Sequence, residues 1–179
     1  MAVKRIQYMD VMIDLETLGT LADSAIISIG AVRFDQTTID DDGFYRVISV
    51  SSNQDEGRKI NASTLNWWIG QTEKAKAIFT DKNAVSLDTA LNDLRTWLEG
   101  SGTDVRVWGN GSDFDISMLA HAYGEQGTPW KFWNTRCFRT IKELPKAKAI
   151  AKPANLLAHN ALFDAIAQTQ HLQAIWKIL

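Results

Sequence analysis

The chain is short of the features that mark secreted, membrane-spanning or duplex-coating proteins. Its one cysteine, Cys137, leaves no internal disulfide and fits a reducing compartment; it reads as a part-buried small hydrophobe rather than a reactive thiol. No apolar run approaches the roughly 18 residues that a membrane span needs, and the opening MAVKRIQYMDVMIDLET lacks the long apolar core of a secretory signal. The expectation is a soluble, cytoplasmic protein with no membrane partner. Positive charge is not in surplus either: 19 Lys and Arg against 21 Asp and Glu leave a net charge of −2. That argues against a broad electrostatic grip on nucleic acid, though not against a small pocket for a chain end. With three prolines, and without a repeat, a low-complexity tract or a linker, nothing divides the 179 residues. One domain over residues 1–179 is expected, and 45% apolar residues suffice for a core.

What is present is an ordered series of patterns. DVMIDLET, AIISIGAVRFD and DDDGFYRVISV read as three strands of an antiparallel meander, rich in Ile and Val and bounded by Gly and Asp. The run Asp40 to Asp42 beside Gly43 suits a tight turn better than a metal-binding loop. From NASTLNWWIG onward the period becomes helical. Asn61 or Ser63 caps a helix carrying Leu65, Trp68 and Ile69, and TEKAKAIF follows as a second short helix. Ser86 caps a third, with Leu87, Leu91, Leu94 and Leu98 inward and Gly100 past its end. DVRVWGN is a short strand with Trp108 in the core, DFDISMLAHAYGE a helix, and HNALFDAIAQTQHLQAIWKIL the longest helical pattern. GEQGTPWKFWN and KELPKAKAIAKPANL are irregular and belong at the surface or beside a site. This order predicts an α/β domain whose mixed sheet joins an antiparallel meander to parallel strands, flanked by helices.

The acids stand out against this background. In MIDLETLGT, Asp14 and Glu16 lie two apart on a strand, so both leave the same face about 7 Å apart. Burying such a pair without a counter-charge costs several kcal/mol, which calls for a cation between them or an open strand end. Asp113 and Asp115 follow VRVWGN, and Asp164 comes five residues after His159. Strand ends of α/β sheets gather groups distant in sequence, so these acids can converge. All-oxygen ligands with no cysteine and little histidine favour Mg²⁺ or Mn²⁺ over Zn²⁺. Two such ions about 3.5–4 Å apart suit phosphoryl transfer. Other charged groups read as bland: Lys142, Lys146, Lys148 and Lys152, like Arg58 and Lys59, as solvated faces, and His121 and His171 as structural.

DLETLGT, NGSDFD and HNALFD, read as Asp-x-Glu, Asn-x-x-x-Phe-Asp and His-x4-Asp, resemble in order the three motifs of DnaQ-like, DEDDh-type 3′→5′ exonucleases of the ribonuclease H-like superfamily. The resemblance covers nearly the whole chain. STLNWWIGQ is similar to the branch that includes phage DexA-type exonucleases and related bacterial 3′→5′ exoribonucleases. The resemblance implies a ribonuclease H-like sheet and removal of nucleoside 5′-monophosphates from single-stranded RNA or DNA with a free 3′ end, or from 3′ overhangs. It implies two divalent ions, Mg²⁺ or Mn²⁺, held by Asp14, Glu16, Asp115 and Asp164, with Asp14 bridging. His159 would be the general base, since an imidazole can take a proton near neutral pH. The Asn-x-x-x-Phe-Asp frame selects Asp115 and leaves Asp113 as a helix N-cap or first-turn acid. Thr17, Leu18 and Gly19 would contact the terminal sugar and base, Gly19 by close backbone approach. Consecutive Trp67 and Trp68 point about 100° apart on a helix, so one faces the core and the other can stack on a base. Phe114 would pack beside or beneath the site. The apolar AIWKIL at the C-terminus could dock on its own domain or support a homodimer. The rival reading is a non-catalytic nucleic-acid-binding or scaffold protein that kept the fold; the intact set Asp14, Glu16, Asp115, His159 and Asp164 speaks against it.

Overall fold

The computed structural model describes residues 9–102, 104–155 and 157–179; residues 1–8 of the expected domain lie outside them. β1 (Asp10–Thr17), β2 (Ile26–Phe34) and β3 (Phe44–Val47) form the antiparallel meander. After helices α1 (Val50–Asp55), α2 (Ala62–Ile69), α3 (Glu73–Lys76) and α4 (Leu87–Glu99), the chain returns as β4 (Arg106–Gly109), parallel to β1. A π-helical turn (Ser112–Ile116) leads into α5 (Ser117–Tyr123), and β5 (Thr135–Cys137) joins the sheet parallel to β4. α6 (Phe138–Lys142) and α7 (Ala161–Trp176) complete the order. The sheet runs β3-β2-β1-β4-β5, the mixed arrangement expected. β5, α1 and α6, of three, six and five residues, are elements the sequence pattern did not reveal. Segments that short complete no recognisable period.

Local chemistry explains the boundaries. Of the two candidate caps for α2, Asn61 is the one used, its side chain accepting from the Ser63 and Thr64 amides. Ser86 accepts from Thr89 N at the start of α4. Alternation along β1 then sorts its side chains. Val11, Ile13 and Leu15 join Leu91, Leu94 and Leu98 of α4 and Met118 and Leu119 of α5 in one core. Met12 faces the other way, with Val32, Phe34 and Trp108, beneath Ala165, Leu172 and Ile175 of α7. Each fully buried Leu or Ile here contributes about 1.5–3 kcal/mol relative to exposure.

The seating of α7 positions the site. Gly30 of β2 is the register partner of Asp14. A Cβ at Gly30 would lie 2.1 Å from the Ala161 carbonyl carbon and the Leu162 nitrogen, so only glycine lets the first turn of α7 rest directly on the sheet beside Asp14. At the far end Trp176 stacks on Phe34 and meets Trp108 edge-on, with ring centroids 5.8 and 5.7 Å apart, which docks this part of AIWKIL on its own domain. Among the described residues no helix is long and apolar enough to cross a membrane.

Candidate active site

The α7-facing side of β1 carries Asp14 and Glu16, and the first turn of α7 brings Asp164 to them. One carboxylate oxygen from each lies within 4.8 Å of the others. Asp115, buried in the π-helical turn after β4, stands outside that trio but near enough for its charge to act on Asp14 and Glu16. Gly109 makes room for it: a Cβ there would stand 3.0 Å from Asp115 Oδ2. Asp113 points away, 81% exposed, with Arg139 at 3.9 Å. Of the two acids flanking Phe114, Asp115 is therefore the one in the cluster. Asp113 is a first-turn acid without a capping hydrogen bond.

Four carboxylates gathered this closely are electrostatically unsettled. Among the described residues, none of the four forms an ion pair with Lys or Arg. Burial, then the charges of Asp115, Glu16 and Asp164, push the Asp14 carboxyl well above the usual range. Burial together with Asp164 and Asp115 raises Glu16 to about 8. Burial also lifts Asp115 to about 7, against backbone hydrogen bonds from Leu15, Asp115 and Asn110. Asp164 is raised by burial despite the opposing His159 and Asn155. Neutral amides supply the direct support: Gln168 Nε2 donates to Asp14 Oδ1 at 2.6 Å, and Asn155 Nδ2 to Asp164 Oδ1 at 2.7 Å. The second oxygen of Asp164 is buried with no partner. Oxygen-only donors, concentrated negative charge and an orphaned carboxylate oxygen together fit hard divalent cations.

His159 precedes α7 in the left-handed region, φ 64°, the only such non-glycine among the described residues. This sparsely populated backbone costs of order 1–3 kcal/mol and turns the imidazole toward α2. There it meets Trp67 edge-on, centroids 4.8 Å apart, and Trp68 at 6.2 Å. His159 stands outside the trio of acids and lines a cleft with Tyr45 and Lys74. The tryptophans divide as their angular offset requires. Trp68 is core, its Nε1 donating to Thr17 O at 2.9 Å, whereas Trp67 is 46% exposed beside His159. Trp68 therefore leaves the set of substrate contacts.

The residues after Glu16 are less available than expected. Leu18 is 1% exposed in a cluster with Ile27 and Trp68; its amide donates to Ala25 O and its carbonyl accepts from Asn61 N. Neither side chain nor backbone of Leu18 is free for a nucleotide, because the turn after β1 closes on α2. The Thr17 hydroxyl is likewise turned inward, donating to Gly19 O at 2.7 Å, and Gly19 packs against Ser24. Phe114 lies underneath, against the α4–α5 core. Gln168, Asn155 and Gly30 were not anticipated. Gln168 was findable, since it sits four residues after Asp164 on the same helical face. Gly30, a lone glycine inside a strand, signalled a close approach. Asn155, in an irregular stretch, carried no signal.

The mixed sheet with its flanking helices has the ribonuclease H-like fold. Residues 9–176 match the Rv2179c-like family, described as a 3′-5′ exoribonuclease domain, and the chain belongs to that family. Among solved structures it is similar to Exonuclease X in complex with 5′ overhanging duplex DNA, at TM-score 0.60 and 17% identity, covering 94% of this chain and 92% of that one. The RNase domain of the yeast Pop2 protein gives TM-score 0.61 at 12% identity, over 96% of this chain and 78% of that one. Cell-death related nuclease 4 (CRN-4) gives 0.55 at 14%; 94% of this chain is covered, but it spans only 64% of that nuclease. At such identities the likeness is one of fold. No curated protein matches the sequence.

Proposed function

We propose that the chain removes nucleotides one at a time from the 3′ end of single-stranded RNA, releasing nucleoside 5′-monophosphates. The observation that carries this reading is the gathering of four carboxylates at one end of β1, none of them paired with Lys or Arg among the described residues. Asp14, Glu16, Asp115 and Asp164 would hold divalent cations, Mg²⁺ or Mn²⁺. When bound, such ions supply Lewis-acid stabilisation to the attacking and leaving oxygens of the displacement. His159 takes the proton from the attacking water, and its turn before α7 keeps the imidazole free of the carboxylate trio. Attack at the terminal phosphodiester breaks the bond from phosphorus to the 3′ oxygen, leaving a 3′-hydroxyl on the shortened strand and the phosphate on the released nucleotide. Trp67 offers its half-exposed ring to the terminal base, a contact worth about 1–3 kcal/mol. The family description favours RNA over DNA.

The test is degradation of matched 5′-labelled single-stranded RNA and DNA oligomers with Mg²⁺ or Mn²⁺, beside Asp14→Ala and His159→Ala. A metal-dependent ladder shortening from the 3′ end, faster on RNA and lost in both variants, is expected. Internal cuts on a 3′-blocked strand would instead indicate an endonuclease, and absence of cleavage with either metal would leave a nucleic-acid-binding protein.

A further inference from the structure

The lysines from the end of α6 to the start of α7 divide into two kinds. Lys148 is solvated and pairs with Glu143 at 3.0 Å. Lys142 is not: its Nζ donates to Asn110 Oδ1 at 2.8 Å and lies 5.5 Å from the centre of the Phe138 ring. Asn110 opens the NGSDFD motif, so the residue that anchors this ammonium stands five positions before Asp115. Lys142 and Lys152 both line a cavity of about 180 Å³, shared with Asn110, Asn155, Asp164 and Gln168. An ammonium has three N–H donors, and Asn110 uses one of Lys142's, leaving two for a ligand. Among the described residues neither lysine forms an ion pair. Burial, with Lys152 and Arg139 adding, pushes the Lys142 ammonium below its ordinary range, as expected where cations converge without an anion.

The cavity also has a definite place relative to the acids. Asp164 and Gln168 form its wall on α7, and Gln168 in turn holds Asp14. His159 and Trp67 mark the side of the cluster toward α2, whereas Asn110 and Lys142 mark the side toward β4 and Asp115. If the terminal nucleotide lies against Trp67, the rest of the strand leaves across Asp115 and over this cavity. We propose that Lys142 and Lys152 form a subsite for a non-scissile backbone phosphate, the next one on the 5′ side of the bond being cut. Lysines suit this role: as flexible point charges they neutralise a phosphate without reading a base. The subsite makes the substrate an oligonucleotide with at least two phosphodiesters, and it rests on the exonuclease reading above.

The experiment compares wild type, Lys142→Ala and Lys152→Ala on three substrates: a single-stranded RNA oligomer, the same oligomer with a neutral methylphosphonate at the linkage adjacent to the scissile one, and the p-nitrophenyl ester of thymidine 5′-monophosphate. For each variant, KM for the unmodified oligomer should rise about tenfold, the loss on the one-phosphate ester being far smaller. The slope of log KM against log salt should shrink by about 0.7 for each phosphate no longer neutralised by a lysine. The methylphosphonate should cost wild type at least that factor, cost each single variant less, and cost the double variant Lys142→Ala/Lys152→Ala nothing more, as for changes that remove one interaction. An equal loss on oligomer and ester, or a methylphosphonate penalty that persists in full in the double variant, overturns the subsite. Should wild type cut neither oligomer nor ester, the exonuclease reading fails. Fluorescence anisotropy of the two oligomers then tests the subsite alone, with equal affinities counting against it. Lys152 is exposed, so its variant carries the test if Lys142→Ala does not fold.

Discussion

Asp10 and Glu16 lie on one face of one strand and have opposite surroundings. At the start of β1, Asp10 accepts from Arg106 Nε at 2.7 Å and from Trp108 Nε1 at 2.8 Å, and it is also bonded to Arg106 Nη2. Both partners come from β4, which pairs with β1 in parallel at that point. Farther along the strand, Asp14 and Glu16 face Asp115 and Asp164, with amides in place of cations. The same residue type thus does two jobs. One end of the strand is a completed structural ion pair; at the other, among the described residues, no Lys or Arg pairs with the carboxylates.

Activity should separate the two ends most sharply. Asp14→Ala should lower metal-dependent hydrolysis of an RNA oligomer by about a thousandfold or more, since on the proposed reading several kcal/mol of transition-state stabilisation depend on the cations it would hold. Asp10→Asn should stay within a few-fold of wild type; comparable losses in initial rate for both would erase the distinction.

Stability should move in opposite directions. In the metal-free protein at pH 8, Glu16→Gln removes a charge that burial and its neighbours disfavour. Its unfolding midpoint should rise by a few degrees, at about 2–4 °C per kcal/mol for a domain of this size. Asp10→Asn leaves the Arg106 guanidinium without its anion and should lower the midpoint. Because Arg106 is 39% exposed, the loss should be about 1–2 kcal/mol rather than the value for a fully buried pair. Thermal melts in chelator decide this, and shifts of the same sign would contradict the contrast.

The acid cluster should also set the pH dependence. Glu16 moves from 4.5 to about 8 and Asp115 from 3.8 to about 7 on folding. With native pKa values raised, the folded state holds more protons than the unfolded one between pH 4 and 8. Metal-free stability is therefore full below about pH 4 as far as these groups are concerned and is lost as pH rises toward 8. Mn²⁺ binds the ionised form, so its stabilising effect should grow over the same window. Melting curves from pH 5 to 9 with and without Mn²⁺ measure both slopes; a metal effect independent of pH would show that the carboxylates are already ionised. The smallest effect belongs to Asp113→Ala. Its exposed carboxylate only approaches Arg139, and activity should change less than about threefold, while Asp115→Ala should follow Asp14→Ala.

Much of this was legible in the chain. Alternation placed Asp14 and Glu16 on one face, the Asn-x-x-x-Phe-Asp frame preferred Asp115 to Asp113, and helical spacing gave α4 and α7 their inward sides. The right-angle offset of Trp67 and Trp68 required one to be core, without saying which. The availability of Thr17 and Leu18 was misjudged because it depends on how the turn after β1 closes on α2, a meeting of segments some fifty residues apart. Lys142 looked like one of four equivalent solvated lysines until Asn110, thirty-two residues earlier in the chain, was seen to hold it.

The sequence alone determined the local facts: which residues alternate or recur on a helix, where caps and turns fall, and that acids unsuited to a buried strand sit within one. These follow from backbone periodicity and side-chain chemistry, which act over a few residues. Only the tertiary structure decided which acid is answered by Arg106 and which are left to one another. It also decided which tryptophan stays open and which lysines share a cavity with Asp164. Those outcomes depend on distances between distant segments, set here by the parallel pairing of β4 with β1 and by the absence of a Cβ at Gly30, which lets α7 descend onto the sheet.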